Sequence, residues 1–325
     1  MKKSSCEAVQ QFVPSDTELK DLRGTFFVNC VFNIFLSYTA VSLNAVTIHA
    51  IRKTWCLPKP LKTLLLSLAV SDLGVGLTVQ PFCIWLLVKW LQRDNPGCIA
   101  YKLFFMVMSF FSLASFFGVV LVSLDRFLAI HLHLRYRELV THNRVLALVI
   151  SAWIGSVILS LITVWYPSES SLTVFAVGVI CIFFTTLFFG KIFAVFRRHQ
   201  EQIQVLQVLQ GAQNSDASNL ASLLKSAVGI FYIYVVLMLC YMPRAFSLVA
   251  TATSEPSTAL KAYLIYSWTL VFLNSSLNPI VYCWKMRHIR SAIMDMLRNI
   301  SWRRGRNVSF PRFRARTSSE FTTSL

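Results

Sequence analysis

Polar and charged side chains stand inside segments of this chain that are otherwise apolar enough to lie in a membrane. They are Asp72, the tripeptide Asp125-Arg126-Phe127 and the sequence Asn278-Pro279-Ile280-Val281-Tyr282. An acid, an arginine or a proline is costly to bury at hydrocarbon depth, so such residues in apolar helices usually have a function. Asp72 needs a partner or a proton, and Arg126 cannot lose its charge. The set predicts a helical bundle that switches between states.

The composition requires a membrane around that bundle. Apolar residues make up 55% of the chain, charged residues make up 14%, and Phe alone occurs 26 times. A soluble domain carries about 25% charged residues. A helix needs roughly 20 apolar residues to cross the ~30 Å hydrocarbon core. Seven stretches meet that length, at about 26–50, 63–88, 99–130, 145–165, 172–196, 222–250 and 262–284. We therefore predict an all-α membrane protein, a seven-transmembrane helix bundle.

Basic residues set the predicted orientation. Assigned to alternate sides of the spans, Lys and Arg number 22 on one side and 9 on the other. The heavier side, which includes the C-terminus, is predicted to be cytoplasmic. The N-tail, residues 1–25, is then extracellular, and the chain is a multi-pass protein of the plasma membrane. The net charge of +17 is explained by this bias and by attraction to membrane lipids, without nucleic acid as a partner.

The chain beyond the last span divides into two parts. Residues 285–299 have apolar residues at helical spacing between basic ones, which predicts a short amphipathic cytoplasmic helix in the interface. Residues 300–325 are rich in Arg, then in Ser and Thr, and lack apolar residues for a core. We predict a disordered cytoplasmic tail there.

The motifs, taken together and in order, resemble those of the rhodopsin-like (class A) G-protein-coupled receptors over about residues 26–294. The markers stand on six of the seven spans: Asn44, Leu68-Ala69-Val70-Ser71-Asp72, Asp125-Arg126-Phe127, Trp153, Cys240-Tyr241-Met242-Pro243 and Asn278-Pro279-Ile280-Val281-Tyr282. The resemblance implies a receptor that transmits binding of an extracellular ligand to a heterotrimeric G protein.

The resemblance also assigns residues to activation and G-protein coupling. They are Asp125, Arg126, Phe127, Leu223, Tyr241, Pro243, Asn278, Pro279 and Tyr282. Arg126 is expected to pair with Asp125 or with an opposing helix, and to be released towards the G protein on activation. Many relatives add an acid at the base of the sixth helix, where this chain has Leu223. The inactive state then lacks one restraint, which predicts basal signalling.

Asp72 is implied to belong to an allosteric sodium site. Its expected neighbours are Ser115, Asn274 and Asn278, and oxygen ligands of this kind suit a hard cation. A protonated Asp72 inside a plain hydrogen-bond network is the alternative. No other cofactor is predicted.

Departures from the family pattern indicate which branch of the receptor family this chain resembles. Tyr101 stands where most relatives have a cysteine, and the short second outer loop has no cysteine either. A cysteine-free loop of this kind is similar to those of the melanocortin, cannabinoid and lysophospholipid receptors. Cys6 and Cys98 are predicted to lie outside, where they either form a disulfide in place of the missing one or remain free thiols.

The predicted ligand pocket lies in the outer half of the bundle. Met108 replaces the aspartate of amine receptors, and Phe272 replaces the lysine of opsins, which disfavours amines and retinal. The acids that melanocortin receptors use for basic peptides are also missing. The pocket residues are Phe105, Met108, Phe111, Tyr241, Arg244, Leu248 and Phe272.

Arg244 is the charged residue of that pocket, since it lies three residues beyond Tyr241 on the inward face. A guanidinium matches a carboxylate or phosphate bidentately, which predicts an amphiphilic anion or lipid as ligand. Two structural alternatives remain open. Arg244 either extends outward to the membrane surface or pairs with Glu255 or Glu169.

The tail suggests two further partners. Phosphorylation of its Ser and Thr residues would create an anionic patch of the kind that arrestin binds in this family. The terminal Thr323-Ser324-Leu325 fits strand addition to a PDZ protein.

Other classes of protein are less well supported. Five of the six histidines lie on the predicted cytoplasmic side and His49 closes the first span, so neither an intramembrane zinc site nor a catalytic triad, and hence no enzyme, is predicted. A single mid-membrane acid does not supply the relay of a seven-span transporter. A constitutively active or heteromer-partner receptor without its own agonist is the closer alternative.

Overall fold

The computed structural model describes residues 14–15, 17–54, 57–132, 135–165, 167–209, 215–255, 257–285, 289–295 and 298. Seven long helices follow one another: α1 (Glu18–Lys53), α2 (Lys59–Leu91), α3 (Cys98–His131), α4 (His142–Trp165), α5 (Pro167–Leu209), α6 (Ser215–Thr253) and α7 (Thr258–Lys285). The part of the chain described here contains no strand. The predicted all-α, seven-helix architecture is confirmed. Each predicted span falls inside one helix, and the helices are longer because helix geometry continues past the apolar stretch.

Six of the helices, α1 to α6, are long and apolar enough to cross a membrane, whereas α7 is too polar to be counted with them. At 28 residues, α7 is about 42 Å long at ~1.5 Å per residue, which exceeds the hydrocarbon thickness. Its polar side chains, among them Ser267, Asn274, Ser275 and Asn278, are buried in the bundle. The polarity of α7 therefore faces protein rather than lipid.

Helix α2 contains one turn of π-helix, Val75–Val79. Pro81 follows this turn at the start of the next helical stretch. A proline ring inside a helix clashes with the carbonyl group four residues earlier, and a wider turn relieves that clash. The turn begins after Gly74, where an added Cβ would lie 2.1 Å from Cε1 of Phe111. Glycine thus lets α3 approach α2 closely beside the turn.

The bundle has two apolar cores, which we call the outer core and the inner core, and each lies beside one arginine. The outer half, which contains Arg244, is filled by residues of α1, α2, α3 and α7, including Phe26, Trp90, Phe104 and Trp268. The inner half, which contains Arg126, is filled by residues of all seven helices, and its members include Leu65, Val122, Phe189, Ile233 and Tyr282.

Polar contacts run along the interface of α1 and α7 from end to end, and we call them the α1–α7 polar seam. At the outer end, Lys261 Nζ lies 2.7 Å from Glu18 Oε2. Further in, Asn33 Nδ2 donates to Thr269 Oγ1 at 2.9 Å, and Thr269 Oγ1 donates to Asn29 Oδ1 at 2.7 Å. The seam ends where Asn44 Nδ2 donates to the carbonyl oxygen of Ser275 at 2.9 Å.

The chain is helical again at residues 289–295. Ile289 is fully buried, and Ile293 packs against the inner core. One face of this segment therefore lies on the bundle, as an amphipathic helix after the seventh span requires. The rest of the predicted helix over 285–299 is only partly described, and the tail from 300 to 325 lies outside the described residues.

Candidate functional site

The charged pair at the inner end of α3 is buried and fully bonded. Asp125 and Arg126 expose 3% and 2% of their surface. Arg126 Nε donates to Asp125 Oδ2 at 3.0 Å, and a second guanidinium nitrogen binds the same oxygen. The Tyr136 hydroxyl donates to Asp125 Oδ1 at 2.6 Å. The structure thus pairs Arg126 with Asp125, and the side chains at the inner end of α6, residues 215–226, lie outside the described part of the chain.

Tyr136, in the loop after α3, was not assigned a role from the sequence. Burial raises the pKa of its hydroxyl, and the neighbouring Asp125 carboxylate raises it further. The hydroxyl therefore remains a donor at physiological pH and occupies the second oxygen of Asp125. The signal that could have identified it is a phenol 11 positions after a buried acid.

Phe127 joins α3 to α5. Its ring stacks on Phe188 with centroids 4.9 Å apart. Leu223, the residue that replaces an acid, lies in α6, but its side chain is outside the described part of the structure. The prediction of a missing restraint at that position is untested.

Asp72 is the fully buried centre of a second polar site. Ser115 Oγ donates to its Oδ1 at 3.0 Å, and Asn278 Nδ2 donates to its Oδ2 at 2.8 Å. Asn274 is also fully buried, but neither of its amide atoms has a hydrogen-bond partner among the described residues, and the same holds for Asn278 Oδ1. Three of the four predicted residues are thus in direct contact, and Asn274 is not bonded to them.

The donor set fits a hard cation. It offers a carboxylate, a hydroxyl and amide oxygens, and two of the amide oxygens lack a donor. Buried polar atoms normally have a partner, and a cation held by Asp72 would supply one to these oxygens.

The predicted pocket residues divide into two sets. Met108 and Phe272 are buried in the outer core, with Phe105, Phe111 and Tyr241 packed against it. Arg244 and Leu248 are half-buried on α6. Tyr241 links the two sets, because its hydroxyl donates to the Ser112 carbonyl oxygen of α3 at 3.0 Å.

Arg244 has a sparse set of partners. Its Nη1 donates to Ser247 Oγ at 3.2 Å, and Ser247 lies 3.4 Å from the Ser267 hydroxyl of α7. Among the described residues, which include Glu255, Arg244 forms no ion pair. The side chain of Glu169 lies outside those residues. A guanidinium has five N–H donors. Among the described residues none of these donors of Arg244 meets a carboxylate, and one donates to a hydroxyl.

The sequence matches the family described as 7 transmembrane receptor (rhodopsin family) over residues 43–282. That range covers most of the chain and runs from the end of α1 to Tyr282. The chain belongs to the rhodopsin family of seven-transmembrane receptors. As predicted, it is a ligand-activated G-protein-coupled receptor, and members of this family are receptors rather than enzymes.

Several curated receptors are similar to this one. Melanocortin receptor 3 of Homo sapiens is 26% identical over 323 residues, covering 91% of this chain and 97% of the relative. Adenosine receptor A2b of Gallus gallus is 24% identical over 310 residues, covering 83% and 88%. Cannabinoid receptor 1 of Xenopus laevis is 21% identical over 261 residues, covering 71% and 54%. Two members of the predicted branch are thus among the relatives, together with an adenosine receptor that the sequence motifs did not indicate.

The outer ends of the receptor's helices are tied by contacts that the motifs did not reveal. Trp90 Nε1 donates to the Tyr101 hydroxyl at 2.7 Å, which joins α2 to α3. Phe26 of α1 packs on Trp90 with ring centroids 5.3 Å apart. Tyr101, at the position of the usual cysteine, thus makes a contact between helices of its own.

Cys98, at the start of α3, is disulfide-bonded. Its partner and Cys6 lie outside the described residues, so the pairing of Cys6 with Cys98 stays a prediction. Cys30, Cys83, Cys181, Cys240 and Cys283 are free.

Proposed function

We propose that the receptor responds to an amphiphilic anion whose acidic group binds Arg244. The observation that carries the proposal is the half-buried guanidinium in the outer half of the bundle, which has a serine hydroxyl as its hydrogen-bond partner and no carboxylate among the described residues. A charge at membrane depth that lacks a counter-ion is costly. A bidentate carboxylate or phosphate would satisfy it.

The apolar part of such a ligand would lie against the outer core. Phe105, Phe111 and Tyr241 are only partly buried there, so each has ring surface available for an acyl chain. Met108 and Phe272 form the packed layer behind them. An anion with a long apolar body satisfies both the arginine and this aromatic surface.

The experiment compares three probes that share an oleoyl chain: oleate, oleoyl lysophosphatidate and the uncharged monooleoylglycerol. Binding to the purified receptor in lipid nanodiscs is measured for the native chain, Arg244→Ala and Arg244→Lys. Arg244→Ala should weaken an anionic probe by about 2–5 kcal/mol, the range for removing one partner of a buried charge pair. Arg244→Lys should lose part of that, because an ammonium lacks the bidentate fit.

Arg23→Ala is the matched control, since Arg23 is an exposed cation at the outer end of α1. It should leave all three probes unaffected. If Arg244→Ala binds the anionic probes as tightly as the native receptor, or weakens monooleoylglycerol equally, Arg244 has a structural role and the ligand is not an anion.

We propose further that Asp72, Ser115, Asn274 and Asn278 hold a sodium ion. The support is the oxygen-rich set around Asp72, with the amide atoms of Asn274 and Asn278 Oδ1 left without partners. A bound cation would compensate the buried carboxylate and favour the arrangement in which α2, α3 and α7 meet at that residue.

The remaining partners and the orientation are proposals from the sequence. We place the receptor in the plasma membrane, with the inner half, the C-terminus and the basic loops facing the cytoplasm. We propose that arrestin binds the phosphorylated tail, that anionic lipids bind the basic residues at the membrane interface, and that a PDZ protein binds the terminal residues.

Deleting residues 317–325 should abolish arrestin recruitment and leave G-protein activation intact. Unchanged recruitment would contradict the assignment of arrestin to the tail.

The second candidate is a receptor without its own agonist, which either signals constitutively or acts as the partner subunit of a heteromer. It is favoured by Leu223, which stands on α6 at the position where many relatives have an acid. Nucleotide exchange by the purified receptor without ligand, over a panel of G proteins, distinguishes the two. Substantial ligand-free exchange that none of the three probes raises would favour the second candidate over an agonist-driven receptor.

A further inference from the structure

A cation and two aromatic rings join α6 to α7 at the inner end of the bundle. Lys285 Nζ lies 4.1 Å from the ring centroid of Tyr232 on α6 and 3.6 Å from the ring centroid of Trp284 on α7. The two rings are themselves 5.3 Å apart. We call Tyr232, Trp284 and Lys285 the inner clasp. Lys285 has no carboxylate within salt-bridge distance among the described residues, so these rings are its charge-stabilising neighbours.

The position of the clasp matters because Arg126 is buried. With only 2% of its surface exposed, Arg126 is out of reach of a protein partner until a neighbouring helix moves. Helix α6 carries Pro243 within its span, and a proline interrupts the hydrogen-bond ladder and provides a point of bending. The part of α6 between Pro243 and the inner end can therefore pivot while its outer part stays in place.

Besides its packing against α3 in the inner core, that inner part of α6 contacts α5 and α7. On the α5 side, Phe231 packs on Phe189 and Phe193 with centroids 5.2 and 5.1 Å apart, and the Tyr234 and Thr186 hydroxyls share a hydrogen bond of 2.6 Å. These contacts can travel with α6 if α5 moves with it. On the α7 side, the clasp is a directional contact that breaks as soon as α6 leaves α7.

We propose that the inner clasp holds α6 against α7 and restrains the basal activity of the receptor. It takes the role that an acid on α6 facing Arg126 would otherwise have. The proposal concerns signalling without ligand, so it is independent of the anion proposed for Arg244.

The test measures ligand-free nucleotide exchange on G protein, per receptor molecule, in nanodiscs that contain the full-length chain. Tyr232→Leu removes the ring, and Lys285→Met removes the charge but keeps a stem of similar length. Each should raise the basal rate about two- to five-fold, the change in the closed-to-open ratio expected from losing one partly exposed cation–π contact. The double variant should rise by less than the product of the two single effects, because both variants remove the contact between Lys285 and Tyr232.

Two conservative variants serve as matched controls. Tyr232→Phe keeps the ring and Lys285→Arg keeps the charge, so both should retain the native basal rate. The proposal is overturned if Tyr232→Phe activates as strongly as Tyr232→Leu, if the double variant shows the product of the single effects, or if the basal rate stays unchanged or falls. Should Tyr232→Leu fail to fold, the Lys285→Met and Lys285→Arg pair decides the question in the same way.

Discussion

At the inner end of the receptor, Arg126 donates two hydrogen bonds to the Asp125 carboxylate, whereas at the outer end Arg244 donates one to a serine hydroxyl. The first guanidinium is almost fully buried and the second is half-buried. Both arginines lie in a membrane bundle and neither can lose its charge. The protein supplies a counter-ion to one and, among the described residues, none to the other.

This difference indicates how each end works. A paired arginine stabilises the resting state, and a partner must replace Asp125 to use it. Under the proposed function, an arginine without a carboxylate gains its counter-ion from the ligand, so its free energy favours the bound state. The proposal therefore has the inner arginine released and the outer arginine filled on activation.

The largest effect is expected at the paired end. Arg126→Ala should lower nucleotide exchange on G protein by about ten-fold or more, because the mutant lacks the guanidinium that the G protein is proposed to bind in place of Asp125, and removing one partner of a buried charged contact costs at least one factor of ten. Surface expression should change little, since Asp125 keeps the Tyr136 hydroxyl as a donor. Exchange at the native rate in Arg126→Ala would remove the contrast between the two arginines.

Asp72 provides the next test, since it is a buried acid between the two ends. Replacing choline chloride by sodium chloride at equal ionic strength should stabilise the native receptor by about 2 kcal/mol when sodium is present at roughly thirty times its Kd. In Asp72→Asn that stabilisation should vanish, together with any sodium dependence of agonist affinity. Asp94→Asn, at an exposed acid, should keep both. A sodium response that survives Asp72→Asn excludes this site.

The outer end also contains an ion pair, formed by Glu18 and Lys261, so the effect of pairing a charge can be tested there as well. Glu18 accepts hydrogen bonds from Lys261 and from Ser15, and Lys261 is largely buried. Glu18→Gln should therefore lower the free energy of unfolding by about 1–2 kcal/mol, as for other charged hydrogen bonds. The exposed pair of Lys89 and Asp94 is the control, because Asp94→Asn should cost less than about 0.5 kcal/mol. Equal losses in a thermal unfolding assay would show that burial does not distinguish the two pairs.

The smallest effect is expected from adding charge at the inner end. Leu223→Glu supplies α6 with an acid at the position where many relatives have one and should lower basal exchange about two-fold, in line with a weak ion pair to Arg126. Leu223→Gln, which has similar size and no charge, should leave the basal rate unchanged. A rise in basal exchange with the glutamate would mean that α6 does not face Arg126 at this position.

Much of the architecture follows from the sequence because the helices are long and apolar, and because charges in them are rare. The contacts of Asp72 with Ser115 and Asn278 are those expected from the family. The π-helical turn of α2 was not predicted, since hydropathy does not register one extra residue in a turn. The inner clasp and the Asn29, Asn33 and Thr269 contacts were also missed. They depend on how neighbouring helices are rotated about their axes, and a linear pattern of apolar residues leaves that rotation undetermined.

The α1–α7 polar seam affects the receptor while it is being synthesised and inserted into the membrane. Helix α1 enters the bilayer first with buried amides on Asn29, Asn33 and Asn44, yet their partners Thr269 and Ser275 are in the last helix. About 200 residues separate the end of α1 from the start of α7, a delay of about 10–40 s at ~5–20 residues per second. During that time each amide keeps only its bond to the carbonyl oxygen four residues earlier in α1. Its remaining polar atoms face lipid, the translocation machinery or a chaperone, since unsatisfied polar groups are costly in hydrocarbon. A nascent chain truncated before α7 should thus be recognised by cellular quality control through α1, the helix farthest from the missing segment.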